Sequence, residues 1–390
     1  SLFTGNLSIW EGASLNFTGN GALTPDNVEI RADGELRVAA GQRFSARDVA
    51  NTGQVEALGN RNVLEGVAEI EFRDGAGNAD GVGLITGRDA LFRFGQSPGL
   101  DNAGAIALTG GVNELFGDLT NRPTGSVVVT GGAQATFYDD VVQDGVLVVR
   151  RLGGVASTAT FLGAYSGTGN STGGGDILFE GDLRPGHSAA AVQFDNHVAF
   201  GPNAVVQIEL AGIVPGRLYD TVEVTGEAVL DGQLEVVLID PLGGSNPFVP
   251  TAGDTFEVLT ADGGLGNTTF DTVALPGLPD GLNWLVDYGA SSVSLWVTLE
   301  GDFDFDLDVD GADFLIWQRG DSPNPRSATD LSAWKANYGV GASPIVAAAN
   351  KTPEPATALL LVVGVLTAIH RRRNGVAATD AGDSAASPLL

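Results

Sequence analysis

The densest chemistry in the sequence lies between Gly301 and Asp313. Asp302, Asp304, Asp306, Asp308 and Asp310 alternate along this stretch, and Asp313 closes a twelve-residue frame opened by Asp302. If the loop wraps, these carboxylates converge on one point, the oxygen-only donor set that a hard cation such as Ca2+ takes. Without a cation, charges this close repel by about 1 kcal/mol per pair at 4 Å even in bulk water. Calcium is therefore expected to order the segment. The elements that must hold it follow at once. Phe314-Leu-Ile-Trp317-Gln-Arg319 predicts a short helix, halted by Gly320, Pro323 and Pro325. A second helix is expected near Thr329, capped by that residue, running through Leu331, Trp334 and Tyr338 to Gly339. Those three side chains share a face by helical spacing and should pack on Phe314 and Trp317.

This loop-helix-helix order resembles a type I dockerin module, the calcium-folded domain that binds cohesins in extracellular bacterial assemblies. The resemblance implies side-chain ligands at Asp302, Asp304, Asp306, Asp310 and Asp313, the main-chain carbonyl of Asp308 as a further ligand, and a cohesin-like partner. Two departures are visible. Leu307 stands at the sharp-turn position where the family usually has glycine, and the second loop, Asp321 to Asp330, carries Ser322, Pro323, Pro325 and Arg326 in place of alternating acids. One good metal site is expected, not two.

Beyond a small-residue linker (341–352) comes Pro353-Glu354-Pro355, then an uncharged run from Ala356 to Ile369, then His370 and Arg371-Arg372-Arg373. Fourteen residues are short for a bilayer core of about 30 Å, which takes roughly 20 helical residues. The arginines fit retention on the cytoplasmic side. The order resembles a PEP-CTERM sorting signal over 353–373, which an exosortase recognises and processes at the bacterial envelope. It implies transient membrane contact through a short C-terminal apolar helix, with residues 1 to 340 outside the cytoplasm. A plain membrane anchor is the alternative reading. Residues 374–390 run on past the arginines, unlike the family, and are expected to be a disordered tail.

What carries these signals is a ladder of glycine-led segments. Gly34-Glu-Leu36-Arg-Val38, Gly53-Gln-Val55-Glu-Ala57, Gly104-Ala-Ile106-Ala-Leu108, Gly125-Ser-Val127-Val-Val129 and Gly145-Val-Leu147-Val-Val149 alternate apolar residues with period two. Gly34 to Gly53 spans 19 residues, Gly104 to Gly125 spans 21, and Gly125 to Gly145 spans 20. Half-buried strands recurring at about 20 residues mark a solenoid. A mainly β protein is expected, with a parallel β-helix over 1–185. Longer loops around Asp74 to Gly83 should fill the wide gap between Gly53 and Gly104. Over 186–300 the strands lengthen, predicting a β cap or sandwich, and 301–340 forms the calcium module. Phe179-Glu-Gly-Asp-Leu-Arg-Pro-Gly186, Ile208-Glu-Leu-Ala-Gly212 and Gly253-Asp-Thr-Phe256 are similar to the repeats of autotransporter-like bacterial surface proteins. The first residue falls inside an alternating pattern, so a processed or truncated N-terminus is expected.

Composition narrows the function. Forty-eight acidic against 20 basic residues give a formal charge of −28, which repels nucleic acid. No cysteine is present, so thiolate metal sites are excluded. Gly186-His187-Ser188 lacks the final glycine of a nucleophile elbow and reads as a turn. Tyr138-Asp139-Asp140 pairs carboxylates as glycan-cleaving β-helices do, but neighbours on a strand point to opposite faces. Trp284 and Trp296 are expected in the core. The chain therefore reads as a non-enzymatic exported scaffold, with docking or adhesion at a cell surface or matrix and extracellular polysaccharide as a further partner. The alternative is a secreted polysaccharide-degrading β-helix enzyme, lyase or hydrolase, delivered by the same modules.

Overall fold

Alternation places every second side chain on one face of a strand, and here the apolar set turns inward coil after coil. The computed structural model describes residues 6–17, 25, 27–58, 68–73, 75–81, 83–95 and 99–341. It is a mainly β protein: a parallel β-solenoid of about eight turns over residues 7–206, then further strands and two short helices. One coil shows the plan. Leu100–Asn102 lies in the first sheet, Ala105–Thr109 in the second and Val112–Phe116 in the third, and Leu119–Asn121 returns to the first beside Leu100–Asn102.

Register is kept strictly along the axis. In the second sheet Ile106 sits over Val127, which sits over Leu147. All three are buried. In the third sheet Phe137, Phe161, Phe179 and Phe200 form a column with ring centroids 4.9 to 5.6 Å apart. A one-residue slip would turn each of these side chains to solvent, so the core itself fixes the register.

The rung glycines are needed for close approach. A Cβ on Gly104 would lie 2.3 Å from the Gly83 carbonyl oxygen, and one on Gly125 would lie 2.3 Å from the Asn102 oxygen. Gly83 belongs to the same series, and it exposes a rung that the sequence pattern does not show. Leu84–Arg88 pairs with Gln54–Leu58 on one side and Ala105–Thr109 on the other. Gly87 occupies the second apolar position there, and a Cβ on it would meet the Phe92 ring at 2.8 Å. A phenylalanine from the third sheet fills the place of the missing side chain. The span expected to be loops therefore contains the strand Ala76–Asn78 and leads directly into this rung.

Five successive corners between the first and second sheets, from Asn51 to Gln143, carry a buried amide. Asn51 donates to Asn78 at 2.9 Å, Asn78 to Asn102 at 2.6 Å, Asn102 to Asn121 at 2.7 Å, and Asn121 to Gln143 at 3.0 Å. This ladder runs along the axis and pairs amides that burial would otherwise penalise, ending at Gln143, whose buried Nε2 has no partner.

Past residue 206 the strands stay in register with the solenoid. Val205–Leu210 pairs in parallel with Gln233–Leu238, and Thr221–Val224 with Thr255–Ala261. The third sheet ends at Ala228–Val229, and the second closes with the antiparallel strands Leu282–Tyr288 and Ser292–Leu299. Trp284 packs against the core, its indole Nε1 donating to the Pro276 carbonyl at 2.9 Å. Trp296 differs from expectation. It is 39% exposed, because Val293, Leu295 and Val297 take the inward positions of the final strand.

The described residues up to Val340 belong to one compact unit. Pro353, Glu354, Pro355, Arg371, Arg372 and Arg373, with the apolar run and the tail around them, lie outside the described residues. Among the described residues no helix is long and apolar enough to cross a membrane.

Candidate metal centre

The acidic stretch is organised by its last carboxylate. Asp313 is fully buried, and its Oδ1 accepts from Phe303 N at 2.6 Å and Asp304 N at 3.3 Å, while Oδ2 accepts from Asp310 N at 2.8 Å. That last bond is half of a capping box. The Asp310 side chain accepts from Ala312 N, so Asp310 caps helix α1 (Gly311–Arg319) and Asp313 lies in its first turn. Gly320, at φ 89°, closes α1 by donating to the Ile316 and Trp317 carbonyls.

Helix α2 spans Ala328–Asn337, and its cap is Ser327, whose hydroxyl accepts from Asp330 N at 3.0 Å. Thr329, the expected cap, falls inside the first turn. Phe314 and Trp334 pack with centroids 4.9 Å apart, with Trp317 and Tyr338 at the two ends of the cluster. Trp334 thus packs on Phe314 as expected, whereas Tyr338 touches Trp334 and is largely exposed.

The six aspartates come together as two triads. Asp302, Asp304 and Asp306 form one and Asp308, Asp310 and Asp313 the other, each with ligand-capable oxygens within 4.8 Å of one another. These clustered groups could hold a metal ion. Asp302 is 3% exposed; its Oδ2 accepts from Leu307 N at 3.0 Å, but its Oδ1 is buried with no hydrogen-bond partner. Asp308 Oδ1 is likewise buried and unpartnered.

The electrostatics follow from this crowding. Burial raises Asp302 above the usual carboxylate range despite amides from Leu307 and Phe305, with Asp313 and Asp306 adding to the rise. Partial desolvation, then the charges of Asp313, Asp306 and Asp302, push Asp304 up to about 6. Asp308 is raised by desolvation and by Asp306, Asp310 and Asp313. A cation would reverse each of these shifts. Leu307 adopts φ 70° and Phe305 φ 61°, so the departure from glycine noted in the sequence places a branched side chain in the left-handed region.

The second loop is built differently. The Arg326 guanidinium donates to the Gln318 and Arg319 carbonyls, both at 2.9 Å, and so neutralises the C-terminal end of α1. Asp330 accepts from Asn324 N and Asn324 Nδ2. Burial opposes ionisation of Asp330, yet bonds from Asn324, Ser322 and Ser327 hold it below the usual range. The carboxylate of this loop is thus met by neutral donors, and its arginine serves the helix end.

Elsewhere, carboxylates tie coils together. Asp139 Oδ2 accepts from Gly117 N in the preceding coil at 2.7 Å, and Asp140 Oδ1 accepts from Ala164 N in the following one at 2.9 Å. His187 Nε2 lies 3.0 Å from both oxygens of Asp144, joining two turns. The amide ladder was the feature sequence reasoning missed. Its signal is the recurrence of Asn51-Thr-Gly53, Asn102-Ala-Gly104 and Gln143-Asp-Gly145 at the corners.

No protein-family model matches the chain, and no curated protein matches it.

Proposed function

We propose that the chain is a non-enzymatic, exported scaffold protein of a bacterial cell surface or extracellular matrix, a rigid solenoid post carrying one calcium-loaded docking module. The observation that carries the metal reading is Asp302 Oδ1, a buried carboxylate oxygen without a partner inside the triad it forms with Asp304 and Asp306. Leaving such an oxygen unpaired costs several kcal/mol in an apolar setting unless a cation meets it. Calcium fits better than magnesium. It accepts six to eight oxygens in irregular geometry at 2.3–2.6 Å, whereas magnesium demands a near-octahedral site and keeps its waters.

In this reading Asp302, Asp304, Asp306, Asp310 and Asp313 hold Ca2+ through side chains and Asp308 through its carbonyl. The exposed Leu315, Tyr338 and Val340 supply apolar area for a cohesin-like partner. The terminal signal, with Pro353-Glu354-Pro355 and Arg371-Arg372-Arg373, hands the protein to an exosortase-type enzyme. Asp139 and Asp140, the carboxylates a polysaccharide lyase or hydrolase would need, serve as coil-to-coil ties, which favours the scaffold over the enzyme.

Native mass spectrometry of the full chain tests the metal part: one calcium per chain is expected, lost in Asp302→Asn. Zero calcium, or one retained in that variant, would remove the docking module from the account. Cell fractionation tests the rest. Replacing Pro353 to Pro355 should leave the protein unprocessed in the membrane fraction, and unchanged distribution would refute the sorting step.

A further inference from the structure

The metal loop is joined to the chain that leaves α2 by two hydrogen bonds and to α2 itself by a third, none of which uses an expected side-chain ligand. Val309 lies between Asp308 and Asp310 and is completely buried. Its N–H donates to the Val340 carbonyl at 3.0 Å, and its carbonyl accepts from Gly339 N at 2.8 Å. The carbonyl of Asp310 accepts from Trp334 Nε1 at 2.6 Å. The Trp334 backbone lies close to Gly301, where a Cβ would be 2.6 Å from the Trp334 Cα, while Leu307 reaches the preceding strands, a Cβ on Gly253 lying 3.1 Å from its Cδ1. One backbone segment, 308–310, thus carries metal-site residues on either side of Val309 and clasps the exit of the polypeptide from α2.

We propose that calcium gates this clasp: metal loading fixes the 308–310 backbone and thereby locks Gly339 and Val340 against it, while loss of metal releases those two residues. The inference rests on the calcium reading above and adds regulation to it. Coupling between two sites is reciprocal, so whatever protection calcium gives the clasp, the clasp must return as calcium affinity. A single hydrogen bond of ordinary net strength, about 0.5–1.5 kcal/mol, corresponds to a change of roughly two- to twelve-fold.

The experiment is amide hydrogen exchange on the full chain, in calcium and in EGTA, with calorimetric titration of calcium in parallel. Calcium should slow exchange at Val309 and Gly339 at least ten-fold, and by more than at Trp317 inside α1. Trp334→Phe, which deletes the bond to Asp310 but keeps an aromatic ring, should weaken calcium two- to twelve-fold. At saturating calcium it should also speed Gly339 exchange while leaving Trp317 unchanged. Calcium heat with unchanged exchange at Val309 and Gly339 overturns the clasp and leaves the metal site standing. Absence of calcium heat overturns the metal reading and the clasp with it.

Discussion

At the scale of single residues, polar groups in this molecule hold position by being paired along the axis. Asn102 is fully buried, donates to Asn121 and accepts from Asn78. Asn102→Leu would strand both neighbours, and a buried group left without its partner costs about 1–3 kcal/mol. A loss of about 2–4 kcal/mol in chemical denaturation is expected, against near-neutrality if the ladder is incidental. Asp220 is the opposite case, a carboxyl kept buried beneath the strands. Burial pushes it up to about 7, moderated by amides from Glu209 and Ala190. Its folded value exceeds the ordinary carboxylate value of about 3.9, so the stability linked to it is complete below about pH 4 and is lost as pH rises through about 7. Wild type should therefore lose ground to Asp220→Asn in melting temperature between about pH 4 and pH 7, then hold a constant gap. A gap that does not change with pH contradicts this.

Elements in the chain are legible where a side chain's identity reports its direction, and illegible where a distant residue completes it. The alternating rungs after Gly104, Gly125 and Gly145 could be read directly, because Ile106, Val127 and Leu147 carry their own core contacts. The rung at Leu84–Arg88 could not, since Gly87 leaves its space to Phe92 from another sheet. The acidic loop was legible by its spacing, and so were the two helices, because caps and stops are local. The start of α2 is less legible, because Thr329 and Ser327 are hydroxyls equally suited to capping and only Ser327 is placed to accept from Asp330 N. The ladder was not seen because asparagine beside glycine also means an ordinary turn; its burial appears only once coils are stacked. Gly125 tests the packing claim at this scale. A Cβ there would meet the Asn102 oxygen and Asn121 Oδ1, both at 2.3 Å, so Gly125→Ala should cost about 1–3 kcal/mol through forced backbone shifts. Gly153→Ala, in open space but at φ 57°, should cost about 1 kcal/mol, the difference being the coil-to-coil approach.

For the molecule as a whole, charge and topology pull in different directions. Each coil adds buried area against its neighbours, so stability grows along the axis. A formal charge of −28 opposes compaction through self-repulsion, screened over about 10 Å at 0.1 M salt and about 30 Å at 0.01 M. Surface pairs such as Arg43 with Glu71 at 2.9 Å contribute at most about 1 kcal/mol each. Repulsion should dominate, and melting temperature should rise between 0.01 and 0.15 M sodium chloride. A fall would mean that the surface ion pairs outweigh the net charge. In the proposed calcium reading, a bound ion would act locally on the same imbalance by drawing acids of the loop together. The most direct measurement is anomalous diffraction from crystals of the full chain grown in calcium. One peak about 2.3–2.6 Å from Asp302 Oδ1, shared with oxygens of the neighbouring aspartates, is the predicted result; at saturating calcium, a map with no peak between Asp302 and Asp313 would contradict it.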